Sequence, residues 1–224
     1  MRRLIFPVLM GVVGCAVLVA LGTWQVQRLH WKEAVLARIE AQIAAAPVEV
    51  PAAPTEAQDE YLPVTVTGTL GGREVRVFSP VEGLGIGYRV LAVLTAGDRA
   101  LLVDLGFVPQ DGGDLPQGRI AERVTITGNL LWPDEVTGST PPPDADGIWY
   151  ARDVAGISAE LGTEPFLIVA RGIEGADLGT VPVPVTTLGI PNDHLEYAIT
   201  WFLLAVVWAA MTGYLIWRVI RRKY

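Results

Sequence analysis

The sequence predicts a membrane-anchored α+β protein, in which two transmembrane helices flank an extracytoplasmic domain built on an antiparallel β-sheet or barrel. Three observations predict this fold class. Two uncharged apolar segments of 21 residues, Leu4 to Trp24 and Tyr197 to Trp217, enclose most of the 224-residue chain. Basic residues flank the outer end of each segment. Between the segments, several short runs alternate apolar with polar residues, as half-buried strands do.

The two apolar segments have the length of membrane spans. At about 1.5 Å per helical residue, each covers roughly the 30 Å hydrocarbon core of a bilayer. The first segment, within residues 1–24, continues without a turn residue into 25–46, where we expect the helix to extend beyond the membrane. A cleaved signal peptide is the alternative, because Met1-Arg2-Arg3 is a basic start and Ala20-Leu21-Gly22 resembles a cleavage site. The length of the apolar run and its unbroken continuation favour a retained span.

The distribution of charge predicts the orientation of the chain. The segment from Gln25 to Glu196 holds 11 of the 17 basic residues and all 24 acidic ones, a net charge of −13. Because Lys and Arg near membrane ends stay on the cytoplasmic side, we expect both termini, including the basic tail 218–224, to be cytoplasmic. The same acidic balance argues against nucleic acid as a partner of the outer domain. Membrane lipid is the expected partner of the two spans.

The outer segment changes character twice along the chain. Residues 47–60 are rich in Pro, Ala and acidic side chains and are interpreted as a linker, and 61–191 as a β-rich domain. Asp153 is a suitable N-cap for a helix from Val154 to Leu161, with Gly162 as its stop. The predicted strands centre on Val64–Thr67, Val75–Val77, Val90–Leu94, Ala100–Leu105, Val124–Leu130 and Phe166–Val169.

Two of these strands have similar sequences. Val64 to Leu70 reads VTVTGTL and Val124 to Leu130 reads VTITGNL. The similarity suggests equivalent strands of a pseudo-symmetric barrel, although one pair of matches is less than a repeat requires. Residues 132–148, which include three consecutive prolines, show no period and are interpreted as a long mobile loop.

The residue types exclude most familiar catalytic sites. The single cysteine, Cys15, lies in the middle of the first span, and the chain has only two histidines. The outer domain therefore has no thiolate nucleophile, no CXXCH haem attachment and no ordinary His-rich zinc site. The glycines from Gly83 to Gly87 indicate a hairpin turn, because no Walker lysine follows them. Asp111-Gly112-Gly113-Asp114 is interpreted as a turn rather than as a calcium site. With these classes of site excluded, the chain is not expected to be an enzyme.

His194 is the best candidate for a ligand-binding side chain. It lies within the interfacial turn and second span, 192–217, just before the apolar run. If a helix starts near Asp193, His194 shares a face with Tyr197 and Trp201. An imidazole with aromatic neighbours at the membrane surface can ligate the iron of an amphipathic porphyrin. The alternative is an interfacial histidine beside an ordinary aromatic belt.

A second group of candidates follows the first span. Gly22 permits close helix approach, and Trp24 marks the membrane edge. Arg28 and Lys32 lie one turn apart and could hold an acidic group such as a propionate, or could simply meet lipid phosphates. His30 lies at a membrane depth similar to that of His194, so a bis-His site is a weaker alternative to a single-His site.

Several motifs in this order give the chain a family resemblance. The segment Leu21 to Lys32 reads LGTWQVQRLHWK, which includes Gln25. A VTXTG strand contains Gly68, and Leu101 to Pro109 reads LLVDLGFVP, which includes Gly106. The last motif, NDHLEY, contains His194 and Tyr197. Together these motifs resemble those of the Surfeit-locus-one family, called Shy one in yeast.

The resemblance implies a function as an assembly factor of cytochrome c oxidase. Members are implied to help place haem a in the catalytic subunit, with His194 as the candidate iron ligand. The implied partners are oxidase subunit I and the machinery that supplies haem A, in a bacterial inner membrane with the domain in the periplasm. Gly68 and Tyr197 are implied to be sensitive to substitution. Alternatives are a structural chaperone of the oxidase subunit that binds no haem, and a membrane-anchored binding module; an extracytoplasmic hydrolase lacks a convincing nucleophile.

The chain departs from the family pattern at one place. Where relatives commonly have Asn-Arg-Gly-Trp before Val-Pro, this chain has Asp104-Leu105-Gly106-Phe107. The cation and the indole are therefore absent, and contacts that they make in relatives are not expected here.

Overall fold

The computed structural model describes residues 2–110 and 122–221. These residues form two compact units, one with the chain up to Arg38 and from Thr187 onward, and the other with Ile39–Thr186. The predicted turn at Asp111 to Asp114 and the end of the basic tail, Arg222 and Lys223, lie outside the described residues. The elements in chain order are α1 (Arg2–Ile43), β1 (Val48–Glu49), α2 (Glu56–Asp59), β2 (Pro63–Phe78), β3 (Gly87–Ala96), β4 (Arg99–Pro109), β5 (Glu122–Leu131), β6 (Ile148–Trp149), α3 (Val154–Leu161), β7 (Leu167–Glu174) and α4 (His194–Arg221).

The helical unit consists of the long α1 and α4, packed against each other in antiparallel directions. Both helices are long and apolar enough to cross a membrane, and most of their apolar side chains face outward. Small residues set the contact: a Cβ added at Gly14 would lie 2.3 Å from the Trp208 ring nitrogen, and one at Gly22 would lie 2.8 Å from the Phe202 ring. Small residues at such contacts are typical of helix pairs in membranes. The two predicted apolar helices are confirmed.

The central unit is a closed β-barrel. Each of β2, β3, β4, β7 and β5 pairs with the next, and β5 pairs again with β2, so the sheet has no open edge at its ends. Most of these pairings are antiparallel, as predicted, but β4 and β7 pair in parallel. The two strands with similar sequences lie side by side, with Val66 opposite Ile126, and the Thr67 and Thr125 hydroxyl oxygens lie 2.8 Å apart.

Two hydrophobic clusters explain why β3 and β4 are almost continuously apolar. One face of each strand lies in the barrel interior, as Val90 and Val103 do. The other face, with Leu91 and Leu102, packs in a second cluster together with Ile157 of α3. A strand that is buried on both faces loses the alternation of apolar and polar residues.

The helix predicted after Asp153 is confirmed, together with both of its caps. The Asp153 carboxylate accepts a hydrogen bond from the Gly156 backbone N–H at 2.9 Å. Gly162 ends the helix in the left-handed region, at φ 73°, which a residue without a Cβ adopts at little cost. The predicted hairpin turn at Gly83 to Gly87 is also confirmed, because it joins the antiparallel strands β2 and β3.

The structure differs from the sequence interpretation at two places. Two strands were expected on either side of Gly71-Gly72, but β2 runs through both glycines and only shifts its register between Leu70 and Glu74. Residues 47–60, interpreted as a linker, contain β1 and α2, because Val48 and Glu49 extend the sheet beside β2. Helix α1 ends in this unit, where its last carbonyl, on Ile43, accepts hydrogen bonds from Asn129 and Arg171.

Candidate functional site

His194 is the first residue of α4 and lies at the end of the apolar helix pair. The helix starts as the sequence suggested, since the Tyr197 backbone N–H donates to the Asp193 carbonyl at 3.1 Å. The His194 side chain is half-buried. Two of the next residues on α4, Ala198 and Ala205, are buried at the contact with α1, so the helix presents this stripe to its neighbour.

Gln25 on α1 holds the imidazole of His194. The Gln25 Oε1 atom lies 2.8 Å from His194 Nδ1. An amide oxygen only accepts, so this contact is a hydrogen bond when the ring carries its hydrogen on Nδ1. The Nε2 atom makes no hydrogen bond to any residue in the described part of the chain.

Lys32 fixes the turn that precedes α4. Its Nζ donates a hydrogen bond to the backbone carbonyl of Pro191, which lies in the turn that leads into α4. Gln25 and Lys32 are seven residues apart on α1 and therefore lie on the same helix face, about 20° apart. Two side chains of α1 thus hold the backbone and the ring of the turn that carries His194.

Asn192, in the same turn, has a buried polar atom that no residue satisfies. Its Oδ1 is inaccessible to solvent and accepts no hydrogen bond from the residues that the structure describes. An unpaired buried carbonyl costs about 1–3 kcal/mol, so a donor from water or a bound molecule would be favoured there. The turn therefore carries an unpaired acceptor, on Asn192, two residues before His194 in the sequence.

The other sequence candidates are distributed around this turn rather than gathered in it. Tyr197 is 56% exposed, and Trp201 is half-buried further along α4. The Arg28 guanidinium stacks on the Trp31 ring, 3.9 Å from the centroid, and Trp24 is exposed. Arg28 and Lys32, expected to hold one acidic group together, therefore have different partners.

The structure does not bring the two histidines together. His30 is exposed, and its Nδ1 lies 3.4 Å from Glu33 Oε2 on the same helix. Five residues separate His30 from Gln25, which places them about 140° apart around α1. Since Gln25 contacts His194, His30 points away from that contact. The geometry favours one imidazole over a bis-His site.

Gly22 lies one turn before Gln25 and is buried at the contact between the helices. A Cβ there would approach the Phe202 ring to 2.8 Å, so only glycine lets the helices meet at this level. This close approach brings Gln25 within reach of His194. Sequence reasoning placed Gly22 and Gln25 in one motif but gave no partner for Gln25, because the partner is 169 residues away.

The motif positions of the central unit have structural roles in the barrel. A Cβ at Gly68 would lie 2.6 Å from the Thr95 carbonyl oxygen. Gly106 has φ 113°, and a Cβ there would lie 2.3 Å from the Val181 carbonyl oxygen. Pro109 is exposed and ends β4 opposite Gly87.

Asp104, in the segment LLVDLGFVP, forms a buried ion pair. Its side chain is fully buried, and its Oδ2 accepts a hydrogen bond from Arg89 Nε at 2.5 Å. Burial raises the pKa of the Asp104 carboxyl above its ordinary value, and the charge and hydrogen bond of Arg89 oppose this shift. Asp104 Oδ1 accepts from the Gly106 N–H at 3.0 Å, and Arg89 Nη2 donates to the Val183 carbonyl at 3.0 Å. The pair therefore joins β3, β4 and the segment that follows β7.

The donor set around His194 suits a metal that brings most of its own ligands. Within the described residues, no group of three or more His, Cys, Asp or Glu side chains is placed so that it could hold a metal ion. A porphyrin iron needs only an axial ligand from the protein. A neutral imidazole with a hydrogen-bonded Nδ1 and an unengaged Nε2 is the form that binds metals.

Comparison with known proteins shows where the chain belongs. Residues 12–206 match the model of the SURF1 family. The chain is 29% identical to Surfeit locus protein 1 of Rattus norvegicus over 91% of this chain and 72% of the relative. It is 31% identical to a SURF1-like protein of Monosiga brevicollis over 91% of this chain and 83% of the relative. It is 30% identical to a SURF1-like protein of Rickettsia felis over 85% of this chain and 88% of the relative.

The resemblance in the sequence motifs is therefore confirmed by a match that runs from residue 12 to residue 206, and the chain belongs to the SURF1 family.

Proposed function

We propose that this protein is an assembly factor for a haem-copper cytochrome c oxidase and helps to insert or stabilise haem a in the catalytic subunit. Membership of the SURF1 family supports the oxidase as client, through the resemblance described above. The observation that carries the haem part of the proposal is the placement of His194. It begins α4 at the end of an apolar helix pair, with Nδ1 bonded to Gln25 and Nε2 unengaged.

In this proposal the Nε2 atom of His194 would hold the iron of a haem. A bound haem would supply an iron whose protein ligand can be exchanged. The apolar faces of α1 and α4 next to His194 suit a hydrophobic porphyrin at the membrane surface. Asn192 Oδ1 offers an acceptor in the same turn. Arg28, exposed on α1, is the cation that remains for an acidic substituent, because Lys32 is already bonded to Pro191.

The proposed action is binding and release rather than catalysis. The protein must hold haem less tightly than the oxidase subunit does, since a donor with the higher affinity would retain it. A single histidine ligand suits this requirement better than two. The outer segment contains no cysteine and one histidine at each end, so its sequence offers no thiolate nucleophile.

The proposed location is the inner membrane of a bacterium, with two spans and the barrel in the periplasm. The long apolar helices and the similarity to Rickettsia proteins support a bacterial membrane protein. The excess of acidic residues between the spans supports the orientation. The proposed partners there are oxidase subunit I and the machinery that supplies haem A.

The first test is the absorbance of membranes from a strain that lacks the protein. We expect reduced-minus-oxidised spectra to lose the oxidase bands while haem A remains extractable, because the proposal places the protein after haem A synthesis. Normal oxidase bands, in a strain without a second family member, would contradict the proposal.

A substitution separates a haem donor from a scaffold that only supports the oxidase subunit. His194→Ala removes the proposed ligand, whereas His30→Ala removes the exposed imidazole of the same chain and is the matched control. We expect the first variant to lose bound pigment and most of its support of the oxidase, and the second to keep both. If His194→Ala keeps full oxidase support, the scaffold function replaces the haem function.

A further inference from the structure

The hydrogen bond between Gln25 and His194 has a role beyond packing. We infer that Gln25 is a positioning residue, whose amide oxygen holds the His194 imidazole in the tautomer with hydrogen on Nδ1 and leaves Nε2 bare toward a ligand. This inference rests on the proposed function for the identity of that ligand, a haem iron. The hydrogen bond itself is independent of it.

The first support is the identity of the two atoms. The contact joins Gln25 Oε1 to His194 Nδ1 at 2.8 Å, within the range of a good N–H···O bond. Because Oε1 can only accept, the imidazole must donate from Nδ1. The neutral ring then has its lone pair on Nε2, which is the atom farther from the helix backbone.

The second support is the way in which α1 fixes the position of Gln25. The close contact of Gly22 with Phe202 lies one turn before it, and the bond from Lys32 to Pro191 lies two turns after it. Both contacts join α1 to the part of the chain that carries His194. The part of α1 that carries Gln25 is therefore joined to this part of the chain on both sides along the helix, and the Gln25 side chain is half-buried.

The third support is the chemistry of an amide as opposed to a carboxylate. Hydrogen-bond partners of a ligating histidine fix its ring and tune how strongly it donates to the metal. A carboxylate would draw the Nδ1 hydrogen more strongly and make the imidazole a stronger donor. The neutral amide orients the ring without this increase, which suits a protein that must release its haem.

The first experiment examines the full chain in detergent without haem. His30→Asn removes the other imidazole, so that the nitrogen NMR signals of His194 can be assigned directly in buffer basic enough to keep the ring neutral. We expect these signals to report hydrogen on Nδ1. Gln25→Leu should move the population toward hydrogen on Nε2, and Gln27→Leu, the same change at an exposed position of α1, should not.

The second experiment adds ferric haem a to the same variants. We expect Gln25→Leu to weaken haem binding by roughly 10–100-fold, as is typical when the hydrogen-bond partner of a ligand is removed. Gln25→Glu keeps an acceptor and should restore binding while lowering the reduction potential of the bound iron. If Gln25 had only a structural role, Gln25→Leu and Gln25→Glu would not have opposite effects on haem binding. Gln25→Glu would then also leave the reduction potential of the bound iron unchanged.

The outcomes separate this inference from the proposed function. If Nε2 carries the hydrogen in the unsubstituted protein, or if Gln25→Leu changes neither tautomer nor affinity, the positioning role is overturned even though haem binds through His194. If the tautomer follows Gln25 but haem a does not bind, the positioning role is supported and the haem function is overturned.

Discussion

At the scale of single residues, we expect the buried Arg89–Asp104 pair to affect the free energy of unfolding most when one partner is removed. Asp104 is fully buried, so removal of Arg89 takes away its ion-pair partner and leaves only the Gly106 N–H and the charge of Arg152 to stabilise the carboxylate. We predict that Arg89→Met lowers the free energy of unfolding by about 3–5 kcal/mol, as is usual when a buried pair loses one partner. Chemical denaturation of the full chain in detergent measures this change.

The exposed pair between Arg73 and Glu160 provides the control for that substitution. The two groups lie 3.6 Å apart, and both side chains are largely exposed to solvent. Arg73→Met should therefore change the free energy of unfolding by less than about 1 kcal/mol. Equal effects of the two substitutions would show that the Arg89–Asp104 pair contributes no more than a surface contact.

Glu135 and Arg152 make a second pair whose contribution depends on pH. Burial would raise the pKa of the Glu135 carboxyl, but the hydrogen bonds and charge of Arg152 outweigh burial and lower the pKa below its ordinary value of 4.5. The folded state thus binds this proton less readily than the unfolded state, so its stabilisation is present above pH 4.5 and is lost as pH falls through the lower folded value. We predict that Glu135→Gln flattens this part of the stability profile in acid unfolding.

The Glu135 prediction has a clear contrary outcome. If the unsubstituted protein and Glu135→Gln lose stability in parallel as pH falls from 4.5 through the lower folded value, the carboxylate makes no net contribution. Asp153→Asn is unsuitable as a control, because Asp153 caps α3 through its own carboxylate. Glu82→Gln is better, because Glu82 is exposed in the turn between β2 and β3.

Sequence reasoning reached only part of the site at this scale. His194 could be selected because imidazole is a common ligand of haem iron and because this residue is next to an apolar span. The partner role of Gln25 could not be predicted, because an amide at a membrane edge is compatible with many environments. Arg28 and Lys32 are one turn apart in sequence, yet the side chain of Lys32 reaches α4 and that of Arg28 stacks on Trp31.

At the scale of elements, glycines set how closely the strands of the barrel approach. A Cβ at Gly68 would lie 2.6 Å from the Thr95 carbonyl oxygen, and backbone cannot move away as a side-chain end can. We predict that Gly68→Ala lowers the free energy of unfolding by about 1–3 kcal/mol through overpacking. Denaturant unfolding followed by tryptophan fluorescence measures the change.

Gly172 in β7 is the matched position for the Gly68 test. It also lies in a barrel strand, but a Cβ there would have no atom within 4 Å. Gly172→Ala should therefore be neutral or slightly stabilising, because it restricts only the unfolded chain. A Gly68→Ala variant as stable as Gly172→Ala would mean that β2 and β3 can separate slightly without cost.

The elements themselves were predictable to the extent that local signals define them. Asp153 and Gly162 limit α3 through backbone hydrogen bonding and a left-handed φ, which depend on nearby residues alone. The long β2 was not predictable, because Gly71-Gly72 normally interrupts a strand and only the pairing with β3 and β5 keeps it continuous. Barrel closure likewise depends on the contact between β2 and β5, whose sequences resemble each other without indicating that they pair.

At the scale of the whole molecule, the topology follows from charge and is open to a direct test. The segment between the spans has a net charge of −13, and the described residues after Trp217 include Arg218 and Arg221. We predict that the barrel is outside the cytoplasm and that the end of α4 is inside. Because Cys15 is the single cysteine of the chain, Cys15→Ala provides a background for cysteine labelling.

Ser139→Cys places a thiol on an exposed loop of the central unit, and Arg221→Cys places one at the end of α4. A maleimide that cannot cross membranes should label the first variant in intact spheroplasts and the second only after the membrane is opened. The opposite labelling pattern would place the barrel in the cytoplasm. The barrel could then not contact the oxidase subunit from outside the cytoplasm. Labelling of both thiols in intact spheroplasts would contradict a two-pass topology, because residues 139 and 221 lie on opposite sides of the membrane only if α4 crosses it.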